Sequence, residues 1–513
     1  MESVWGGIGM ENNTLKSKIA RYMDAGFPII YVNTFEEDKV DEIIMAISSG
    51  KEVYEWNETN GYIDFETKTA LIEDCTLEMM LDQLKPIEML DRKIILLKDV
   101  ISYLDNARIV SKIKGLARMI NQGADATIVI ISNTLVIPKE LEKFITILEM
   151  DYLNSEDIKK VIIQFMEDNE LEIIENSLIE EFAVAFKGLT EFEINNLLAL
   201  AYADDGELNR KDLKLIFEQK QQMIKKAGIL EMIPLKETID DIGGLENLKQ
   251  WFIRKAKVYK NMDKARQYGV DMPKGVLIAG VPGCGKSLNA KAAANLFEVP
   301  LLRLDMGRLM GKYVGESEGN LRKAIALAEA ISPCVLWIDE LEKAFAGISG
   351  SGAGAEVTTR LFGNFLTWMQ EKDSPTFVVA TANDITKLPP ELLRKGRFDE
   401  IFYVGLPNDE EREKILEIHV KKRRPQDLKN GSIKISDLVF KTKGFSGADI
   451  EGVIKDAVET AFADDENIVT TKNILTAIEN TYSLSEIMKD SLNKMEKEYE
   501  TRKFKNASRE EYI

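Results

Sequence analysis

The sequence predicts two successive α/β domains, each built on a parallel β-sheet core and followed by a helical segment. Three observations support this fold class. An apolar run at 275–279 leads into a glycine-rich loop and then a helix-like segment, and a later apolar run at 334–338 ends in two carboxylates. The order of strand-like and helix-like segments in the first half repeats that of the second half. A chain of 513 residues is too long for one hydrophobic core, so two to four domains are expected.

Composition narrows the classes of protein to consider. Hydrophobic residues make up 45% and charged residues 30% of the chain, as in a globular protein. The net charge of −19 disfavours nucleic acid or an anionic membrane as partner. One histidine, His419, and three cysteines, Cys75, Cys284 and Cys334, exclude a zinc finger and a His-Glu-x-x-His protease site. Widely spaced cysteines, no signal-peptide pattern and no run of about 18 apolar residues lead us to expect a cytoplasmic protein without membrane segments.

The glycine-rich loop has the pattern of a phosphate-binding loop and ends in Lys286 and Ser287. Glycines let backbone N–H groups turn towards phosphates, and the N-terminus of the following helix adds partial positive charge. Lys286 can reach the β- and γ-phosphates, and the Ser287 hydroxyl can bind Mg²⁺. A chance glycine turn is the alternative, which the flanking strand and helix disfavour. We therefore predict a nucleoside triphosphate site. Its loop residues are Gly280, Val281, Pro282, Gly283, Cys284, Gly285, Lys286, Ser287 and Leu288.

Polar side chains also end two further apolar runs. Asp339 and Glu340 follow the run at 334–338, and a phosphate site needs one acid for Mg²⁺ and one to polarise the attacking water. We assign Asp339 to the metal and Glu340 to the catalytic base; an acidic helix start is the alternative. Asn383 follows the run at 376–382 and can orient that water or sense the γ-phosphate, although Asn is also a common turn residue.

Two arginines, Arg394 and Arg397, flank a glycine downstream. Arginine suits the charge of a phosphoryl transition state because it is planar, permanently charged and bidentate. If these arginines lie away from their own nucleotide, they can serve that of a neighbouring subunit. The alternative is that both arginines form ordinary salt bridges on the protein surface.

Together these residues resemble the AAA family of ATPases, in the branch with two arginine fingers in a Leu-Leu-Arg-x-Gly-Arg-Phe-Asp segment. The match covers about 235–485 and includes segments 241–244, 312–318 and 444–449. The resemblance implies ATP and Mg²⁺ as cofactors, a homo-oligomeric ring that is usually a hexamer, arginine fingers that act on the neighbouring subunit, and a macromolecular client. It further implies adenine contacts at Asp241, Ile242, Gly243 and Gly244, lid contacts at Gly447 and Ala448, and a substrate-gripping pore loop at Lys312, Tyr313 and Val314.

A Gly/Ser-rich segment at 347–355 is open to two interpretations. Its composition is that of a flexible linker, whereas its family position would border a second pore loop.

The first half repeats the order of elements of the second. In this repeat, 29–34 takes the place of 275–280, and 94–100 that of 335–340; 128–133 then corresponds to 377–383, and 145–152 to 401–406. The chemistry is not repeated, because the segment Thr34–Lys39 has acids and no glycine, and of the acidic pair only Asp99 remains. We predict an ATPase-like domain that does not hydrolyse ATP and has a scaffold, recruitment or regulatory role. An unrelated α/β domain stays open as the alternative.

This organisation resembles the poorly characterised AAA ATPases encoded in plastid, cyanobacterial and other bacterial genomes, on segments 25–40 and 389–402. The charged tail is interpreted as helical and solvated. The predicted domains are a degenerate α/β domain at 1–150, a helical lid-like subdomain at 151–215, a connector helix at 216–236, the ATPase core at 237–405, its helical lid at 406–485 and a tail at 486–513.

Two classes of function follow. One is an ATP-driven ring that remodels or disassembles a protein partner. The other is a nucleotide-switched regulatory scaffold that threads nothing. A nucleic-acid motor is disfavoured by the acidic charge.

Overall fold

The computed structural model describes residues 14–48, 50–150, 152–226, 228–309, 316–344, 353–394 and 396–509. The chain forms two compact units, Met1–Tyr152 and Leu153–Ile513. Within the described ranges, no helix combines the length and the apolar character needed to cross a lipid bilayer.

The first unit is a three-layer α/β/α domain. Its strands are β1 (Ile29–Asn33), β2 (Glu52–Asn57), β3 (Gly61–Asp64), β4 (Ala70–Ile72), β5 (Lys93–Leu97), β6 (Ala126–Ser132) and β7 (Ile145–Glu149). Its helices are α1 (Leu15–Asp24), α2 (Glu37–Ile47), α3 (Leu77–Gln83), α4 (Ile87–Leu90) and α5 (Ala107–Asn121). The strand order is β4-β3-β2-β5-β6-β1-β7. The five neighbouring strands β2-β5-β6-β1-β7 pair in parallel. Alternate side chains of β1, β5 and β6 enter two separate apolar cores, one with α5 and one with α1 and α2, so both faces of the sheet are covered.

The second unit begins with four helices, α6 (Ser155–Asp168), α7 (Asn176–Phe186), α8 (Glu191–Asp205) and α9 (Asp212–Lys226). They share one apolar core that includes Phe182, Phe186 and Leu198. The predicted connector helix at 216–236 is wrong in its second part. The helix ends at Lys226, Gly228 adopts a left-handed φ of 80°, and strand β8 (Leu230–Ile233) follows. Its alternating side-chain burial suits an edge strand, which runs antiparallel to the strand at 301–304.

A second sheet forms the core of this unit. Its further strands are β9 (Gly275–Gly280), β10 (Leu301–Leu304), β11 (Cys334–Ile338), β12 (Thr376–Ala382), β13 (Glu400–Val404) and β14 (Lys505–Asn506). The helices of the core are α10 (Glu246–Tyr259), α11 (Met262–Gln267), α12 (Lys286–Phe297), α13 (Met306–Leu309), α14 (Glu316–Ile331), α15 (Leu341–Ala344) and α16 (Ala353–Glu371). The helices that follow are α17 (Asp409–Arg423), α18 (Pro425–Lys429), α19 (Ser436–Val439), α20 (Gly447–Ala463), α21 (Thr471–Glu479), α22 (Leu484–Ile487) and α23 (Lys489–Arg502). Helices α17 to α21 pack around their own apolar core as a small lid.

The two sheets have the same parallel core. The order is β7-β1-β6-β5-β2 in the first unit and β13-β9-β12-β11-β10 in the second. Strand for strand, this is the predicted repeat of element order. The predicted fold class, an α/β ATPase core with a helical lid that is preceded in the chain by a second α/β domain, is confirmed. Because the chain crosses to opposite sides of β1 and of β9, each sheet has a crevice at the carboxyl ends of its central strands, where ligands bind in such folds.

Candidate nucleotide site

The glycine-rich loop lies at the carboxyl end of β9 and is fixed by close backbone contacts. Gly280 has a φ of 146°, and a Cβ atom there would lie 2.1 Å from the carbonyl oxygen of Val404 on the next strand. Val281 donates its N–H to the same oxygen at 2.9 Å. Gly283 and Gly285 adopt left-handed φ angles of 74° and 83°, which only glycine adopts without strain. The pattern of glycines therefore reflects the backbone conformation of this loop.

Lys286 is the first residue of α12 and is 6% exposed. Its ammonium group donates to the carbonyl oxygens of Gly280 and Val281 at 2.9 and 2.7 Å, so the side chain lies within the loop. Burial lowers the pKa of Lys286 to about 8, against the nearby carboxylates of Glu342, Asp339 and Glu340.

The predicted acids and amide meet at the carboxyl ends of β11 and β12. Asp339 Oδ1 accepts from the hydroxyl groups of Ser287 at 3.1 Å and Thr381 at 2.6 Å, which joins the loop to the acidic strand. The side-chain amide of Asn383 donates to Glu340 Oε1 at 3.3 Å. Glu340 has a φ of 50°, a left-handed conformation that is strained for a side chain of this kind. Its backbone N–H donates to Thr381 Oγ1 at 3.1 Å. Four of the predicted residues thus form one hydrogen-bonded group.

The segment 241–244 lies against the lid. Extra Cβ atoms on Gly243 and Gly244 would lie 2.5 Å from the Ile415 side chain and 2.4 Å from that of Glu411, both on α17. The Glu411 carboxylate accepts the backbone N–H of Leu245 at 2.8 Å. Both glycines are therefore required for this close approach.

The remaining predicted contacts around the loop have several environments. The Asp241 carboxylate accepts from the N–H of Thr238 at 2.8 Å and so caps its own short turn, and Ile242 is buried. On the lid, Gly447 begins α20, and the N–H of Ala448 donates to the carbonyl oxygen of Gly283 at 2.9 Å. Within the loop and its helix, Pro282, Cys284 and Leu288 are half-buried, and burial raises the pKa of the Cys284 thiol to about 11.

The two arginines lie at the opposite edge of the sheet from the loop. They precede β13, and the neighbouring Gly396 and Asp399 contact Lys274, just before β9 begins. Six residues of β9 separate this edge from the loop, a distance of about 20 Å at ~3.3 Å per residue. Arg394 is exposed, whereas Arg397 donates to the Glu391 carbonyl oxygen at 2.8 Å. The two arginines therefore lie away from the nucleotide site of their own chain.

The predicted pore loop, Lys312, Tyr313 and Val314, lies outside the described residues, as does most of the Gly/Ser-rich segment 347–355.

Sequence reasoning missed two further acids near the site. Glu342 is 6% exposed and accepts the backbone N–H of Asn383 at 3.0 Å, and burial raises its pKa. Glu411, described above, belongs to a capping box with Asn408 that begins α17. The spacing of Asn408 and Glu411 indicates the helix start, but no local signal indicates that the same carboxylate also reaches Leu245.

At the equivalent crevice of the first unit, a lysine stands where the second unit has an acidic residue. Asp99 has a φ of 56° and matches Glu340 in position and in conformation, but the residue before it is Lys98 instead of an acid. The Lys98 side chain is 7% exposed, and its ammonium group lies 2.8 Å from Asp41, 3.4 Å from Glu55 and 4.0 Å from Glu37. Burial by itself lowers the pKa of Lys98, but these carboxylates outweigh it and raise that pKa above its ordinary value. An internal ion cluster thus includes Lys98, which follows β5 as Asp339 follows β11, and Glu37, which begins α2 as Lys286 begins α12.

Replacing Lys98 by methionine is expected to destabilise the first unit by about 3–5 kcal/mol, because the buried Glu55 and the half-buried Asp41 would lose their central cation. Hydrogen exchange of the β1 and β5 amides measures the change. Lys68→Met is the matched control, since Lys68 pairs with Glu55 at 2.8 Å but its side chain is 53% exposed; we expect a loss of less than about 1 kcal/mol. Equal effects of the two substitutions would contradict the role given to the cluster.

Comparisons with known proteins agree with this geometry. The model of the ATPase family associated with various cellular activities (AAA) matches residues 276–406, and that of an AAA+ lid domain matches 432–476. Models of the N-terminal and second domains of SpoVK-like AAA ATPases match 15–150 and 156–227. The uncharacterized AAA domain-containing protein ycf46 of Guillardia theta is 39% identical over 483 residues, 92% of each chain. The chain belongs to the AAA ATPase family.

Two further relatives match different shares of this AAA ATPase. A ycf46 protein of Pyropia yezoensis is 37% identical over 90% of this chain and 92% of its own length. The ATP-dependent zinc metalloprotease FtsH of Mycoplasmopsis synoviae is 32% identical over 53% of this chain and 41% of its own length. The resemblance to poorly characterised plastid-type AAA ATPases is confirmed, and the AAA ATPase is an ATP-hydrolysing enzyme.

Proposed function

We propose that this AAA ATPase acts as a hexameric ring that couples Mg²⁺-dependent ATP hydrolysis to the remodelling or disassembly of a protein partner. The observation that supports it most strongly is the separation of two sets of residues. The loop, the acids and Asn383 lie at one edge of the sheet, and both arginines lie at the other. A site whose transition-state cations come from a second subunit hydrolyses ATP only in an assembly.

The proposed roles combine these positions with the resemblance to the AAA family. The backbone of 280–285 and Lys286 hold the phosphates, while segment 241–244 and Gly447–Ala448 enclose the base. Glu340 accepts a proton from the attacking water, and Asn383, bonded to Glu340, orients that water. Arg394 and Arg397 stabilise the transferred phosphoryl group on the neighbouring subunit.

The residues near Asp339 fit a magnesium ion. The Ser287 hydroxyl and the Asp339 carboxylate supply hard oxygen donors, the kind that Mg²⁺ prefers, and are already held together at 3.1 Å. When bound, the ion would neutralise charge on the phosphate oxygens. Thr381 keeps Asp339 in place through its 2.6 Å hydrogen bond.

The first unit has a different proposed role. Because Glu37 stands where the second unit has Lys286 and Lys98 stands where it has Asp339, we propose that the first unit binds no nucleotide and serves as a scaffold or recruits a partner. The chain would then have a single nucleotide site, so Lys286→Ala should remove all measurable ATP binding. Residual binding in that variant would overturn this part of the proposal.

The proposed client is tested with a Glu340→Gln chain that binds ATP without turning it over. Purified with ATP, it should co-purify with a protein partner, while the matched Lys286→Ala chain, which cannot bind ATP, should not. Tyr313→Ala should then abolish remodelling of that partner while ATP hydrolysis continues. If remodelling persists in the Tyr313 variant, threading is wrong and the regulatory scaffold is favoured. Nucleic acid in the trapped complex would contradict a protein client.

A further inference from the structure

The C-terminal segment, residues 489–508, is a strap across the ATPase core. The sequence predicts a helical, solvated tail; the helix is present and most of its side chains are exposed, but the prediction of solvation is wrong at two positions. Helix α23 runs from Lys489 to Arg502, β14 follows, and two apolar side chains of the segment are buried: Tyr499 is 4% exposed and Ala507 0%. Two anchored residues in an otherwise charged stretch explain why composition alone suggested solvation.

The strap first contacts β13, the strand next to the phosphate-binding loop. Strand β14 pairs in parallel with β13, and the Ala507 N–H donates to the Tyr403 carbonyl oxygen at 2.8 Å. The ring of Tyr499 stacks on that of Tyr403, with 3.8 Å between centroids. The residue after Tyr403 is Val404, whose carbonyl oxygen holds the N–H of Val281 in the loop. One strand therefore connects the strap to the loop.

The strap also supplies the missing cap of α10. The N-cap residue, Leu245, has an apolar side chain and a left-handed φ of 56°, so it cannot accept from the first N–H groups of the helix. The Ala507 carbonyl oxygen accepts two of them, from Asn247 at 3.0 Å and Leu248 at 3.2 Å. The Asn247 side chain adds a bond to the Ser508 carbonyl oxygen at 2.7 Å. The start of α10 depends on a residue about 260 positions away in sequence.

The capped end of α10 directly follows Gly243 and Gly244. From the other side, the Glu411 carboxylate of the lid holds the N–H of Leu245 at 2.8 Å. This turn is thus fixed between the lid and the strap, and it carries the segment proposed to contact adenine.

We propose that the strap is a positioning element of the nucleotide site, with Ala507 and Tyr499 as the positioning residues. Ala507 orders the adenine segment through α10, and both residues order the loop through β13. This inference rests on the nucleotide site proposed above. Among the described residues, no hydrogen bond or ion pair joins the strap to the acidic pair or to the arginines, so its loss should weaken ATP binding and leave the chemical step largely intact.

The test uses the full chain with residues 505–513 deleted. We expect KM for ATP to rise about tenfold and kcat to change less than about twofold. The Kd for ATP, measured in the Glu340→Gln background, should rise by the same factor. Light scattering at the assay concentration shows whether each variant still assembles, because loss of assembly would lower kcat instead.

Point variants keep the test decisive if the deletion fails to fold. Tyr499→Leu removes the stacking, and Ala507→Pro removes the N–H that bonds to Tyr403; each should raise KM several-fold. Lys494→Ala, on the exposed side of α23, is the control and should leave KM unchanged. Unchanged KM in the folded strap variants, or a fall in kcat alone, would overturn the proposal. A Glu340→Gln chain with an unmodified strap that binds no ATP would instead show that the proposed nucleotide site is wrong. That outcome is distinct from failure of the strap proposal.

Discussion

Replacing Glu340 by glutamine is expected to lower kcat for ATP hydrolysis about 100- to 10,000-fold, the range of a general base. The amide keeps the size of the side chain and can still accept from Asn383, which lies 3.3 Å away. It cannot take a proton from water. Among the described residues, Glu340 forms no hydrogen bond with the phosphate-binding loop or with segment 241–244. The Kd for ATP should therefore change little.

Steady-state hydrolysis and equilibrium ATP binding measure the two quantities separately. Glu298→Gln, an exposed glutamate at the end of α12, is the matched control and should behave like the unmodified chain. Hydrolysis at the unmodified rate in the Glu340 variant would show that another group is the base. A large loss of ATP binding would show that Glu340 holds the nucleotide instead.

The second large effect concerns the arginines. Removing Arg394 and Arg397 together is expected to lower kcat about 1,000-fold or more, as for other arginine fingers, with little change in ATP binding. ATP binding should change little because both arginines lie about 20 Å along β9 from the phosphate-binding loop of their own chain. A glutamate on the same surface, Glu391→Gln, controls for the loss of a charged group. An equal loss of ATP binding would show that these arginines act on their own nucleotide.

Much of the ATPase core could be predicted because its signals are local. Strands β9, β11 and β12 are apolar runs that end in functional residues, and parallel topology brings those ends to one edge. The same local patterns indicated the repeat in the first half. The predicted connector helix at 216–236 runs past the end of α9 at Lys226, next to which Gly228 adopts a left-handed conformation.

The parts that sequence reasoning missed depend on contacts between distant residues. Lys98 reads as an ordinary charged residue after a strand, and its cluster exists only because α2 and β2 bring Asp41 and Glu55 beside it. The N-cap residue of α10, Leu245, has no side-chain acceptor, and the carbonyl oxygen of Ala507 accepts the first N–H groups of the helix instead. Such pairings leave no periodicity or spacing in either segment, so a single sequence does not reveal them.

The central claim, that each nucleotide site is completed by a neighbouring subunit, is tested most directly by mixing two inactive chains. Lys286→Ala cannot hold ATP but keeps its arginines, whereas the double Arg394→Ala, Arg397→Ala chain holds ATP but has no fingers. In co-expressed mixed rings about one interface in four joins an intact loop to intact arginines, so about a quarter of the unmodified ATPase activity should return. No recovery in mixtures that demonstrably contain both chains would contradict the claim.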